Sequence, residues 1–417
     1  MEELLLLIVV TYGVSLVLGY LLQRYLRIPW MFAALFFGMA LSPFGFIRQR
    51  VEGEEFHLLA TLGMLVILFM IGLNLDLEEI KALKRKIFLG TASIMFLEGI
   101  FGSLLLYLGF PEHVGGSFLI ALITAFSFAT VGEAVLLPIL AEFKLLDTTF
   151  GQLTLGIGTV DDVLEVLMLA VIAVVPAMMP KGGVGGYVPN PILMLLILGG
   201  MILLVFISSK WRSRLRRSIM NSSNMLYLPS LLILLIFFSF VAVGGFVAEE
   251  LATVGAILGG IMVQEVVPRR ILKDNENAIN FMGYAFLSPL FFLSVGTKVS
   301  LTTIFIYPLL TLLISLVTTG SKLLASFLLF HRSLGGRCAL LLGLGLTVRF
   351  STSLIVQFIL LNSGYISLAL YSALIATAVL VNPIVIGAYA WGLTTSGIRK
   401  HPALEVQPSK RDVDHRR

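Results

Sequence analysis

Thirteen apolar stretches, parted by short polar ones, run along the 417 residues. They fall at about 3–23, 29–47, 57–75, 87–109, 115–141, 150–177, 190–209, 225–244, 250–266, 278–296, 301–330, 338–361 and 365–393. A helix needs roughly 20 residues to cross a bilayer, and most of these stretches meet that length. The faintest division is at Gly244-Gly245 and Glu249-Glu250. The pattern predicts an all-α polytopic membrane protein with about 13 transmembrane helices, residues 1–393 forming one membrane domain. Residues 394–417 read as a short polar tail on the cytoplasmic side.

Composition excludes the main alternatives. With 58% hydrophobic and 13% charged residues the chain is no soluble globule. Cys338 stands alone, which rules out an intrachain disulfide or a cysteine-based metal site, and the five histidines form no spaced cluster. Neither a cofactor nor enzymatic chemistry is expected. The net charge of +5 is read as loop charge that sets topology, not as a nucleic-acid surface. Loops after odd-numbered segments carry 17 basic residues, against 4 (Arg48, Arg50, Lys181 and Lys298) after even-numbered ones. That bias places the odd loops and the C-terminus in the cytoplasm and the N-terminus outside a cell inner membrane. Met1-Glu2-Glu3 lacks the basic start of a signal peptide, so the first apolar run is expected to be retained.

Two bases, Lys322 and Arg349, remain inside segments, with the acids Glu98, Glu133, Asp161, Asp162 and Glu165. A carboxylate in hydrocarbon costs on the order of 2.5–3.5 kcal/mol, and intramembrane acids usually mark an ion or proton path. Adjacent Asp161 and Asp162 are therefore the centre of interest. At about 1.5 Å rise per residue, Asp162 lies roughly 18 Å from the cytoplasmic end of its segment. Lys322, Arg349, Glu133 and Thr130 lie about 12–17 Å from theirs. One layer thus holds them all. Glu98 is read as structural. Glu165 shares a helical face with the pair at i+3 and i+4, either as a further titrating group or as a neutral helix contact.

Segments 5 and 12 are interrupted midway, at Ser127–Glu133 and Gly345–Ser353. Glycine weakens the helical ladder there, and hydroxyls such as those of Ser127, Thr130 and Thr347 compete for backbone partners. Thirteen segments divide as six, a linker and six, which inverts the second half. Two broken helices crossing at mid-depth are then expected, with their dipoles aimed at a site. Glu133 would neutralise helix N-termini and Arg349 helix C-termini. The bland reading of each interruption is a polar seam between tightly packed helices.

Several blocks in this order resemble one family. They are Leu62-Gly63-Met64 through Phe69-Met70-Ile71-Gly72-Leu73-Asn74-Leu75-Asp76, Val160-Asp161-Asp162-Val163-Leu164, Val254–Gly260 and Pro289–Gly296. Together they resemble the monovalent cation:proton antiporters of the second superfamily, especially the short bacterial electrogenic sodium/proton antiporters with an Asp-Asp pair. The resemblance spans about Tyr20 to Trp391. It implies a core domain from about 87–177 and 301–393, a dimerisation scaffold from about 1–75 and 225–296, a linker helix at 190–209, and a homodimer among membrane lipids. It also implies that Asp162 carries the ion and the proton, and that Asp161 pairs with Lys322. Lys298 falls in a short external loop and is set aside. Glu165, and the phenylalanines around the fifth-segment break, depart from the family pattern.

The chemistry suits these residues. Na+, Li+ and K+ are hard cations that take oxygen ligands, so Asp162 and Asp161, with Thr130, form the expected cation site. A carboxylate also binds protons, and competition at one site that opens to one side at a time suffices for exchange. The expected function is Na+/H+ antiport, Li+ being an alternative cargo. The rivals are a K+/H+ antiporter or K+ efflux transporter, a non-transporting sensor, and a sodium-coupled symporter.

Overall fold

The structure is a computed structural model that describes residues 2–26, 29–75, 85–132, 136, 140, 143, 145, 148–174, 191–221, 228–349 and 351–394. In chain order its helices are α1 Glu2–Leu21, α2 Phe32–Leu41, α3 Gly45–Val51, α4 Glu54–Asn74, α5 Arg85–Leu104, α6 Phe118–Phe128 and α7 Thr149–Val174. There follow α8 Pro191–Lys210, α9 Arg212–Asn221, α10 Leu228–Gly245, α11 Glu249–Val266, α12 Arg269–Asn280 and α13 Ser288–Thr297. The last are α14 Leu301–Ile306, α15 Pro308–Leu334, α16 Gly336–Gly345, α17 Ser351–Asn362 and α18 Leu368–Thr394. Each of the thirteen predicted segments contains helix among its described residues. Seven helices there are long and apolar enough to cross a membrane. Phe118–Phe128, Gly336–Gly345 and Thr352–Asn362 fall short of that length because an interruption divides their segments.

Two stretches expected as loops are helical. Both α9 and α12 are polar, so a search for apolar runs passes over them. α9 is held by Arg216, which donates to the carbonyls of Gln264 at 2.7 Å and Glu265 at 3.1 Å. Those carbonyls end α11, where a helix has orphan acceptors and attracts cations.

The chain forms two compact units. The first comprises Met1–Tyr20, Trp30–Glu79 and Val163–Ser300. Its helices meet through glycine. A Cβ on Gly72 would stand 2.1 Å from the Ile257 carbonyl oxygen, and one on Gly260 would stand 2.1 Å from that of Phe69. Gly38 and Gly296 make the same reciprocal contact between α2 and α13, at 2.4 Å from Leu293 O and 2.3 Å from Leu35 O. Gly244 and Gly255 repeat it between α10 and α11. Without side chains at these points, backbones approach closely and gain van der Waals contact, which is how helices associate where lipid removes the hydrophobic drive. The faint division at 244–250 is thus a tight hairpin whose glycines serve packing.

The second unit comprises Leu21–Pro29, Ile80–Asp162 and Leu301–Arg417. Its central helix is α15, which packs against α5, α16 and α18. This brings the internal base of α15 to the internal acid of α5.

Candidate functional site

Both interruptions exist. α6 ends at Phe128, and the Ala129 N–H turns back to the Phe126 carbonyl at 3.2 Å. α16 ends at Gly345, and the Thr347 and Val348 N–H groups close tight turns on Leu344 and Gly345 at 3.1 and 3.2 Å. Hydroxyls take part in the unwinding. Ser127 Oγ donates to the Thr124 carbonyl at 2.7 Å and Thr347 Oγ1 to the Leu344 carbonyl at 2.6 Å. The two interruptions are joined, because the Gly132 N–H donates to the Val348 carbonyl at 2.6 Å.

Lys322 binds both. Its Nζ donates to the Thr130 and Leu346 carbonyls, each at 2.7 Å. These oxygens follow the C-terminal ends of α6 and α16, where the helix dipole is negative. Nζ also lies 3.3 Å from Glu98 Oε2 on α5, while the other carboxylate oxygen, Oε1, lies 3.3 Å from Arg349 Nη2. The Arg349 guanidinium sits over the Phe128 ring, 5.3 Å from its centre. Asp161 Oδ2 accepts the Val131 N–H at 2.6 Å. Just beyond, the Leu136 N–H donates to the Gly132 carbonyl at 3.1 Å. Lys322 and Glu98 are 0% exposed, and Asp161 and Arg349 1%, so each charge depends on its neighbours and not on water.

Several expectations change in detail. Asp161 was assigned to Lys322, whereas the ion pair found for Lys322 is with Glu98, and Asp161 acts on Lys322 electrostatically. Arg349 was assigned to helix C-termini, but Lys322 occupies that place and Arg349 pairs with Glu98. The ammonium is shorter in reach and carries three donors, so it fits between two carbonyls that a planar guanidinium would straddle poorly. Thr130 offers its carbonyl to Lys322, and the Ser127 and Thr347 hydroxyls turn to their own helices. Asp162 and Glu165 lie on α7 with side chains outside the described set, and Glu133 lies outside the described residues. Lys298 belongs to the first unit, where Glu52 and Arg48 act on it. Glu98, read as structural, joins the two buried bases. Its signal in the sequence was depth, since it stands near the middle of its segment like the others.

Comparison with known proteins bears on the whole chain. Residues 13–391 match the family described as sodium/hydrogen exchanger, transmembrane. A protein of Methanocaldococcus jannaschii called "Probable Na(+)/H(+) antiporter 3" is 28% identical over 378 residues, 88% of this chain and 91% of that one. The Na(+)/H(+) antiporter of Enterococcus hirae is 25% identical over 389 residues, 89% of this chain and 94% of its own. The structure of the sodium proton antiporter MjNhaP1 from Methanocaldococcus jannaschii aligns with a TM-score of 0.58 at 16% identity. That alignment covers 97% of this chain and 99% of the other, and it speaks for the fold alone. The apolar helices and these matches make the protein an integral, multi-pass membrane protein. With the matched region running through nearly every helix, the chain belongs to the sodium/hydrogen exchanger family.

Proposed function

We propose that the protein exchanges Na+ for protons across a cell inner membrane by alternating access, with Asp162 as the carrier and Asp161 beside it. The observation that carries this reading is the joined pair of helix interruptions held by Lys322, with the Asp161 carboxylate on the adjoining N–H of Val131. Such a centre gathers oxygen ligands and compensating charges away from water, where a carboxylate can exchange a proton for a hard cation. Family membership and the relatives named above for sodium/proton antiport support the same cargo. Thr130 stands beside the pair, and Glu133 and Glu165 are its nearest further acids in sequence. A homodimer with the N-terminus outside and the C-terminus in the cytoplasm completes the proposal.

The test is proton-gradient dissipation in proteoliposomes, adding Na+, Li+ and K+ in turn. Na+ collapses the gradient, and Asp162→Asn reduces that flux to the level of protein-free vesicles. If K+ alone dissipates the gradient, the cargo is potassium. If no cation does, the antiport reading fails.

A further inference from the structure

Lys322 Nζ donates to the Thr130 and Leu346 carbonyls, and its ion-pair partner is Glu98, whose Oε2 lies 3.3 Å away. Glu98 divides its two oxygens between Lys322 and Arg349, which come from α15 and from the twelfth-segment interruption. Among the described residues, Lys322 and Arg349 thus both pair with Glu98, and Asp161 acts on Lys322 electrostatically. We infer that Glu98 is a positioning residue for exchange, the resident counter-ion that keeps the Lys322 ammonium on the two carbonyls so that Asp161 need not neutralise it. This rests on the proposal that cation and proton compete at the Asp161-Asp162 pair. The consequence concerns cation binding. An ammonium that loses Glu98 seeks the next carboxylate, and Asp161 already acts on it. Lys322 then competes with the transported cation for Asp161, as a tethered positive charge at high local concentration.

The experiment measures Na+-dependent proton flux in proteoliposomes for wild type, Glu98→Gln, Glu98→Asp and the double variant Glu98→Gln/Lys322→Gln. Loss of one partner of a buried ion pair is strong enough for Glu98→Gln to raise the KM for Na+ about tenfold, with kcat within about twofold. Glu98→Asp keeps the charge and restores most of the affinity, and the double variant, lacking the competing ammonium, has a lower KM than Glu98→Gln. In detergent, the Na+ concentration that gives half-maximal thermal stabilisation rises by the same factor in Glu98→Gln, which gives a reading even where reconstitution is poor. Should Glu98→Gln yield no folded protein, Glu98→Asp alone carries the test, with a KM rise of about threefold expected from its shorter reach. Loss of melting temperature with an unchanged KM for Na+ means that Glu98 is merely structural and overturns the inference. A KM in the double variant as high as in Glu98→Gln does so too. Absence of cation-driven flux and of Na+ stabilisation in the wild type overturns the antiport reading and this inference with it.

Discussion

In the first unit helices meet through glycine and bare backbone, and in the second they meet through charge. Gly72 and Gly260 bring α4 and α11 into carbonyl contact, and Gly38 and Gly296 do so for α2 and α13. Such seams have one snug arrangement and little tolerance for added volume. The second unit instead interrupts two helices and fills the gap with Lys322, Glu98, Arg349 and Asp161. A buried charge set is no economical way to stabilise a fold, since apolar residues of similar volume often do as well or better. Its presence in one unit and the glycine seams in the other separate a packing task from an electrostatic one.

Substitutions can break or sharpen that contrast. The largest effect is expected at Lys322. Lys322→Met strips both interruptions of their shared donor and leaves Glu98 with Arg349 alone. Removing one partner of a buried ion pair costs about 3–5 kcal/mol, so the melting temperature falls steeply. Next comes Gly260→Ala in the other unit. A methyl group 2.1 Å from the Phe69 carbonyl oxygen must push two backbones apart. That overpacking costs about 1–3 kcal/mol in thermal unfolding, while the KM for Na+ of the folded fraction stays at the wild-type value. A changed KM would mean the seam also shapes the ion site. Gly345→Ala should cost less, about 1 kcal/mol, because its Cβ meets the end of the Tyr389 side chain, 2.1 Å from the hydroxyl, and a side chain can give way where backbone cannot. The smallest effect belongs to Lys298. Burial holds its ammonium below the ordinary lysine value, partly offset by Glu52. The charged form is disfavoured by folding, so stability from this group rises as pH climbs through the lowered value. Lys298→Gln flattens that rise, seen as melting temperature against pH, and changes neutral-pH stability by no more than about 0.5 kcal/mol.

The segments were readable because hydrocarbon demands long apolar runs, and the interruptions because Gly345, Thr347 and Ser127 weaken a ladder in ways their chemistry announces. Depth along each helix was readable too, and it placed Lys322, Arg349 and Asp161 in one layer. Direction around the helix axis was not. Glu98 shares that depth, yet nothing in the order of residues tells which acid on which helix faces Lys322. The approach of α5 to α15 decides it. The polar helices α9 and α12 were hidden for another reason: at the water boundary a helix is held by caps such as Arg216 on the Gln264 carbonyl, and these come from distant chain. The blocks around Gly72, Gly260 and Gly296 that carry the family resemblance prove to be seam glycines, a signature of packing where the aspartate block is one of chemistry.

Glu98 and Arg349 are separated by 251 residues. At roughly 5–20 residues per second, a ribosome needs about 10–50 s to supply the second once the first has been made. Within that interval Glu98 and then Asp161 are made before either of the bases that offset them, Lys322 and Arg349. The nascent chain must keep these acids protonated, hydrated or against the insertion machinery until α15 and the interruption after α16 arrive. A chain truncated before α15 should therefore be recognised by quality control as an incompletely neutralised membrane protein, however well its early helices have inserted.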